Sequence, residues 1–275
     1  MLVTSKQIIL DAQRGKYAIG AFNTSDMEIT KAIIWAAEKM KSPVIIQTSE
    51  KAIAYAGLEE ITAIVKVEAK KSKVPVALHL DHGSKLEVIS ECIKAGYTSV
   101  MFDGSRLPLA ENIIFTRQAV EMSHRAGIPC EAELGAVRKV GEEESFTDPS
   151  EVAEFVKKTG VDFLATAIGT AHGVIVGHTD KPKIDLLKKI RRKTSVPLVL
   201  HGASDVSDED IKSVVANGIC KINIDTDIRH TFAETIREMA KKNLDDPRDI
   251  MAQVMKDIQK LIEGKIETFG SKDKA

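Results

Sequence analysis

The feature that most constrains this chain is an alternation running from end to end: short apolar runs rich in β-branched residues, separated by longer stretches with helical spacing. The runs are YAIGAFN (17–23), PVIIQTS (43–49), PVALHLDH (75–82), TSVMFDG (98–104), PCEAELG (129–135), DFLATAIG (162–169), PLVLHG (197–202) and CKINID (220–225). Between them Ile29, Ile33, Ala36, Ala37 and Met40 recur at three and four residues, as do Val152, Phe155 and Val156, the period of an amphipathic helix. Turn chemistry that stops a helix precedes many runs: Ser42-Pro43, Val74-Pro75, Gly127-Ile128-Pro129, Gly160, Val196-Pro197 and Asn217-Gly218. The runs are continuously apolar, as parallel strands buried on both faces are. Eight strands, each followed by a helix, is the count of a closed (β/α)8 TIM barrel. An open doubly wound sheet would carry a glycine-rich phosphate loop after its first strand, and GAFNTSDME is not one. No Ser/Gly-rich linker or shift in composition interrupts the series, so one barrel domain over residues 1–275 is expected. Beyond the eighth unit, Met251, Val254, Ile258, Leu261 and Ile262 form an apolar stripe. It predicts an extra C-terminal helix that covers the barrel or a second subunit.

Composition matters mainly for what it excludes. A chain of 275 residues buries a sizeable core without disulfides. With 39 Lys and Arg against 40 Asp and Glu, the net charge is −1, which leaves no electrostatic footprint for nucleic acid. The N-terminal stretch lacks the apolar run of a signal peptide, and no segment reaches the ~18 apolar residues of a membrane span. A cytoplasmic protein with no membrane partner is therefore expected. Cys92, Cys130 and Cys220 are odd in number and far apart, so they read as small buried residues rather than a disulfide framework.

In a barrel of this kind the chemistry sits at the carboxyl ends of the strands, and polar residues there are costly unless used or paired. The ends of the runs hold Asn23, Ser49, Asp81-His82, Asp103, Glu131, Glu133, Thr170-Ala171-His172, His201-Gly202 and Asn223-Ile224-Asp225-Thr226. Three neutral imidazoles with an open fourth position make a catalytic zinc site, and His82, His172 and His201 can supply that set. His124 and His230 fall on predicted helices, and His178 in a loop. His79 shares the strand parity of Asp81, which places it inside the barrel beneath the site, either supporting it or simply hydrogen-bonded. Glu131 and Glu133 also share a parity and need a metal or donors to offset their burial; an internal ion pair with Lys221 falls to Glu131. Gly169, Gly173 and Gly202 flank the histidines, and glycines let backbone N–H groups approach a phosphate closely. Ser204 adds a hydroxyl, and Asn223-Ile-Asp-Thr opens a helix whose N-terminus favours an anion. Helix capping by Ser204, Asp205 or Thr226 is the plainer reading, and the two roles can coexist.

LHLDHGS, EAELG, AIGTAHG, LVLHGAS and KINIDTDIR, in this order and spacing, resemble the class II ketose-bisphosphate aldolases, with the likeness running from about residue 2 to about 270. The resemblance implies cleavage of a sugar bisphosphate such as fructose 1,6-bisphosphate. It makes His82, His172 and His201 the zinc ligands, with cobalt and manganese also suited to such donors. It makes Asp81 the acid/base on the hydroxyl at the cleaved bond, and Glu133 a second carboxylate of the metal site, with Asp103 near it. Asn23, Ser49, Asn223 and Asp225 match substrate contacts. Gly173, Gly202, Ser204 and Thr226 match a phosphate and monovalent-cation site. Arg248 resembles an arginine that reaches the second phosphate from a neighbouring subunit, which implies a homodimer or homotetramer; an ion pair with Asp245 or Asp249 is its plainer role.

The chain departs from the family pattern in three places. The catalytic loop usually reads close to G-x-x-G-G-x-E-D, whereas here Arg138-Lys139-Val140 precede Gly141, followed by Glu142, Glu143 and Glu144. Glu142 is the first candidate for the second acid/base and Glu143 the next. After His172-Gly173 many members carry Tyr-Lys, where this chain has Ile175-Val176. HGASDVSDED is closer to tagatose-bisphosphate aldolases and NIDTD to fructose-bisphosphate ones, so the choice between these epimers stays open, as does another keto-sugar phosphate. Three other readings compete. A Schiff-base aldolase has only Lys221 as its lysine. A metal-dependent hydrolase lacks His-x-His on the first strand. A non-catalytic sugar-phosphate sensor draws on the altered loop.

Overall fold

A computed structural model of the chain describes residues 1–139, 145–173, 181–242 and 244–275. In chain order its elements are α1 (Ser5–Gly15), β1 (Ile19–Asn23), α2 (Met27–Lys39), β2 (Val44–Ser49), α3 (Glu50–Ala56), α4 (Leu58–Lys71), β3 (Val76–Gly83) and α5 (Leu86–Ala95). They continue with β4 (Ser99–Phe102), α6 (Leu109–Arg125), β5 (Cys130–Leu134), β6 (Arg138–Lys139), α7 (Pro149–Thr159), β7 (Phe163–Thr166) and β8 (Ala171–His172). The last are α8 (Ile184–Arg191), β9 (Leu198–Leu200), α9 (Asp208–Ala216), β10 (Ile219–Ile224), α10 (Thr226–Ala240) and α11 (Pro247–Phe269).

Eight of these strands close into a parallel barrel in the order β1-β10-β9-β7-β5-β4-β3-β2. This is the expected TIM barrel. Prolines 43, 75, 129 and 197 stand one to a strand just ahead of β2, β3, β5 and β9, where the missing N–H costs no ladder bond. Helix starts are equally legible: Asp26 accepts from Ile29 N at 2.7 Å at the head of α2, and Asp148 and Asp246 cap α7 and α11 just before a proline.

The barrel interior divides into two halves. Toward the amino ends of the strands it is apolar and built from small residues, with Ala21, Ala77, Ala165, Ile19, Ile45, Phe163 and Val199 packed against Ile8, Ile9 and Ala12 of α1. Helix α1 thus closes the bottom of the barrel, a role that its own pattern does not announce. Toward the carboxyl ends the interior turns polar, with Gln47, His79, Glu131 and Lys221 each at most 1% exposed. The expected C-terminal helix is α11. It packs on α2, α10 and β1 of its own chain. Val254, Ile258, Ile262, Ile266 and Phe269 are buried there, each worth about 1.5–3 kcal/mol. Phe269 stacks on Phe22 at 6.5 Å.

One further feature was not expected. Arg138 and Lys139 pair with Ala171 and His172 as a two-stranded ribbon, β6 with β8, separate from the barrel sheet. The sixth barrel strand therefore ends at Thr166, and His172 comes from this ribbon instead of the strand itself. The three cysteines are free and buried, and burial pushes their thiols up to about 12 for Cys92 and Cys130 and about 11 for Cys220, which leaves them unreactive. Among the described residues no helix is long and apolar enough to cross a membrane.

Candidate active site

Asp81 and His82 are adjacent in β3, yet both line the same cavity at the carboxyl end of the barrel. Strand geometry alone would send them to opposite faces. The pairing of β3 with β4 slips between Leu80 and Gly83, and His82 adopts φ +54°, a left-handed conformation rare for a residue with a Cβ. This backbone irregularity, of order 1–3 kcal/mol, turns the imidazole back over the barrel mouth.

There His82 meets the other two imidazoles. Ring centroids lie 4.6 Å apart for His82 and His201, 4.9 Å for His82 and His172, and 5.9 Å for His172 and His201. One nitrogen from each falls within 4.8 Å of the others, and His82, Asp103 and Glu133 form a second such group. Two of the rings are oriented by their other nitrogen. His82 Nδ1 is 2.7 Å from Asp103 Oδ2, and His201 Nε2 is 2.9 Å from Glu131 Oε1. These bonds select opposite tautomers, so that His82 Nε2 and His201 Nδ1 are left as buried nitrogens without a hydrogen-bond partner. Glu133 Oε2 is similarly unpartnered, 3.3 Å from His201 Nδ1, while its Oε1 accepts from Val137 N. Buried polar atoms rarely go unsatisfied, and three that converge between imidazoles and a carboxylate fit a divalent cation.

The electrostatics agree. Burial opposes charge on His82, but Asp81, the bond from Asp103 and Glu133 together raise it to about 10. His201 is also raised: its bonds to Glu131 and Glu133 outweigh burial. Burial and the two neighbouring imidazoles push His172 down to about 3. A negative field from the surrounding acids thus favours a cation at this point, proton or metal alike.

Asp81 is held on both oxygens. Asn23 donates to Oδ2 at 2.9 Å and Asn223 to Oδ1 at 3.0 Å, and Gln47 fixes Asn23 by donating to its Oδ1 at 2.7 Å. Burial disfavours the Asp81 carboxylate, yet His82, His201, Lys221 and the Asn23 bond hold it below the usual carboxylate range. Beneath this layer Lys221 Nζ donates to Glu131 Oε2 at 2.8 Å, the internal pair expected for Glu131. His79 does not line the cavity: its Nδ1 is 2.8 Å from Ser99 Oγ, and its Nε2, buried without a hydrogen-bond partner, lies 3.8 Å from Glu131 Oε2.

The cavity, about 370 Å³, is also lined by Ser49, Asp103, Gly173, Gly202, Ser204, Asp225 and Thr226. Of the candidate site residues, His201, Arg248 and the loop glutamates do not line it; His201 is fully buried, its ring against those of His82 and His172. Gly202, at φ +65°, passes so close to Ala171 that a Cβ would sit 2.5 Å from its carbonyl oxygen, which only glycine permits. Ser204 Oγ accepts from Asp227 N at 3.4 Å, capping α10, so the capping reading holds without removing Ser204 from the cavity. Arg248 stands at the start of α11, its side chain 89% exposed, bonded to Asp246 rather than to Asp245 or Asp249. Glu142, Glu143 and Glu144 lie outside the described residues, as do Ile175, Val176 and His178.

Sequence reasoning missed Gln47, Ser105, Arg106 and Arg229. Gln47 carried a signal: it shares the parity of Ser49 and is the lone amide in a buried run. Ser105 donates to Asp103 Oδ1 at 2.7 Å and so steadies the partner of His82. Arg229 lies one helical turn after Asp225, donating to its Oδ2 at 3.0 Å, a pairing that an i,i+4 scan would have found.

Known proteins match the chain and its fold along their whole length. Residues 3–274 match the family described as Fructose-bisphosphate aldolase class-II. A fructose-bisphosphate aldolase of Geobacillus stearothermophilus is 43% identical over 286 residues, spanning 100% of this chain and 99% of its own length. One from Thermus caldophilus is 39% identical and covers 100% of both chains. Among solved structures, the YdjI aldolase of Escherichia coli K12 superposes with a TM-score of 0.91 at 37% identity, covering 100% of both chains. The chain belongs to the class-II fructose-bisphosphate aldolase family, and its activity is that of an aldolase.

Proposed function

We propose that this aldolase reversibly cleaves fructose 1,6-bisphosphate to dihydroxyacetone phosphate and glyceraldehyde 3-phosphate, with a zinc ion held by His82, His172 and His201. The observation that carries this reading is the convergence of bare imidazole nitrogens beside a carboxylate clamped by two asparagines. Zinc bound there would act as a Lewis acid toward the ketone and adjacent hydroxyl oxygens of the substrate. Asp103 and Glu131 hold the His82 and His201 rings in the required tautomers, and Glu133 adds a second carboxylate. Asp81, ionised at neutral pH and fixed by Asn23 and Asn223, takes the proton of the hydroxyl on the aldehyde side as the carbon–carbon bond breaks. The bonding electron pair passes to the ketone side, where a proton completes dihydroxyacetone phosphate. We assign that proton transfer to Glu142, with Glu143 next. Gly173, Gly202, Ser204 and Thr226 form the phosphate pole, together with a monovalent cation. Arg248, outside the cavity of its own chain, serves the second phosphate of a neighbouring subunit in a homodimer or homotetramer.

The HGASDVSDED segment favours tagatose 1,6-bisphosphate as the alternative substrate. The test is the ratio of kcat/KM for the two epimeric bisphosphates. Faster cleavage of fructose 1,6-bisphosphate supports the assignment, a preference for the tagatose epimer replaces it, and cleavage of neither overturns the bisphosphate reading.

A further inference from the structure

The opposite end of the barrel carries a second hollow, of about 500 Å³, that the aldol reaction does not use. It is lined by chain segments that enter β1, β9 and β10, which places it at the amino end of the strands, across the barrel from the imidazoles. Lys16, Lys188, Arg191 and Arg192 face it together with the Asn217 amide, and its lining holds no Asp or Glu. In a chain whose acids and bases balance, so local an excess of one sign calls for a reason.

Helix dipoles supply part of it. The carboxyl ends of α1, α8 and α9 all point at this hollow, and each contributes roughly half a negative charge. Four cations exceed that by about two to three positive charges. Ion pairs absorb only part of the remainder: Lys188 has the exposed Asp185 at 4.0 Å, and among the described residues Lys16, Arg191 and Arg192 have no carboxylate within ion-pair distance. Arg191 is also built in. Its guanidinium donates to the carbonyls of Val196, at 2.9 Å, and Thr194, which fixes the head group of a half-buried side chain. Its stem runs against Gly218, at φ +108°, where a Cβ would lie 2.8 Å from Arg191 Cδ. A concave surface with one fixed and three exposed cations matches an anion carrying several charges on clustered oxygens.

We infer that this hollow at the amino end of the barrel binds a small phosphorylated molecule bearing a diphosphate, at a site distinct from the aldolase cavity. Lys16, Lys188 and Arg192 supply charge-assisted hydrogen bonds to the phosphoryl oxygens, and Arg191 and Asn217 fix its orientation.

The test is calorimetric titration of the metal-loaded enzyme with ADP, inorganic phosphate and adenosine. ADP should saturate one site per subunit more tightly than inorganic phosphate, and adenosine should not bind. In K16S/K188S/R192S, ADP affinity should fall by at least about tenfold, since each lost charged hydrogen bond is worth that much. Arg192→Glu alone, a milder change at an exposed position, should weaken ADP in the same direction, and bisphosphate cleavage should keep its kcat/KM in both variants. Absence of saturable ADP binding overturns the inference, as does unchanged affinity in these variants or adenosine binding as tightly as ADP.

Discussion

Replacing Lys221 by methionine tests the polar layer beneath the metal donors. Lys221 and Glu131 are at most 1% exposed and 2.8 Å apart. Removing the ammonium leaves a carboxylate inside the barrel with His201 Nε2 as its remaining close donor, at 2.9 Å. Breaking a buried pair from one side costs about 3–5 kcal/mol, because the partner charge stays uncompensated. For a chain of this size that lowers Tm by about 6–20 °C. The pH dependence has a definite sign. Burial disfavours the Glu131 carboxylate in the native protein, but Lys221 and His201 hold it well below the usual range. Its contribution is therefore present above the unfolded value and lost as pH falls through the depressed folded value. Without Lys221, burial dominates and the carboxyl titrates above its ordinary value, so protonation relieves the variant. Thermal and urea unfolding followed by far-ultraviolet circular dichroism should show a destabilisation that shrinks from pH 8 to pH 5. K221M/E131Q should recover more than half of the loss. A K221M protein within about 1 kcal/mol of wild type, or a penalty that grows on acidification, would refute the reasoning.

Asp81→Ala should lower kcat by roughly 10²–10⁴-fold with metal content retained, as for a general acid/base, and full activity would remove Asp81 from that role. His201→Ala should instead lose bound metal, read by metal analysis after dialysis. Because His82 is raised to about 10, zinc must displace a proton from it at pH 7, so affinity should rise with pH and calorimetry in buffers of different ionisation enthalpy should record proton release. Pure pH independence of zinc binding contradicts that field. Glu142→Gln should abolish exchange of labelled dihydroxyacetone phosphate while leaving metal binding intact; if Glu142, Glu143 and Glu144 can each be replaced without effect, the carboxylate lies elsewhere.

The barrel was legible because its eight strands are buried on both faces and so announce themselves as unbroken apolar runs between periodic helices. The site was legible for a related reason: His82, His201, Asp81, Glu133 and Asn223 are polar residues ending runs that are otherwise apolar. What escaped depends on contacts between distant segments. Nothing local in residues 5–15 says that Ile8, Ile9 and Ala12 will plug the barrel floor. Strand parity cannot foresee that His82 adopts φ +54° and joins Asp81 on one face, because that bend is set by the pairing of β3 with β4. Nor could the AIGTAHG segment show that His172 stands on a ribbon with Arg138 and Lys139, whose partner strand lies over thirty residues away. Gln47 gains its meaning only through Asn23, which in turn orients Asp81.

The central claim is that a divalent metal on three imidazoles, and not a lysine, drives the cleavage. Lys221, the one lysine suited to a Schiff base by sequence, does not line the cavity and is committed to Glu131, which supports this reading. The direct measurement is fructose 1,6-bisphosphate cleavage by protein stripped with a strong chelator and then titrated with zinc, alongside borohydride treatment in the presence of substrate. Activity should vanish on stripping, return in full at one zinc per His82/His172/His201 set, and survive borohydride. Cleavage by metal-free protein, or covalent trapping of substrate on Lys221, would contradict it.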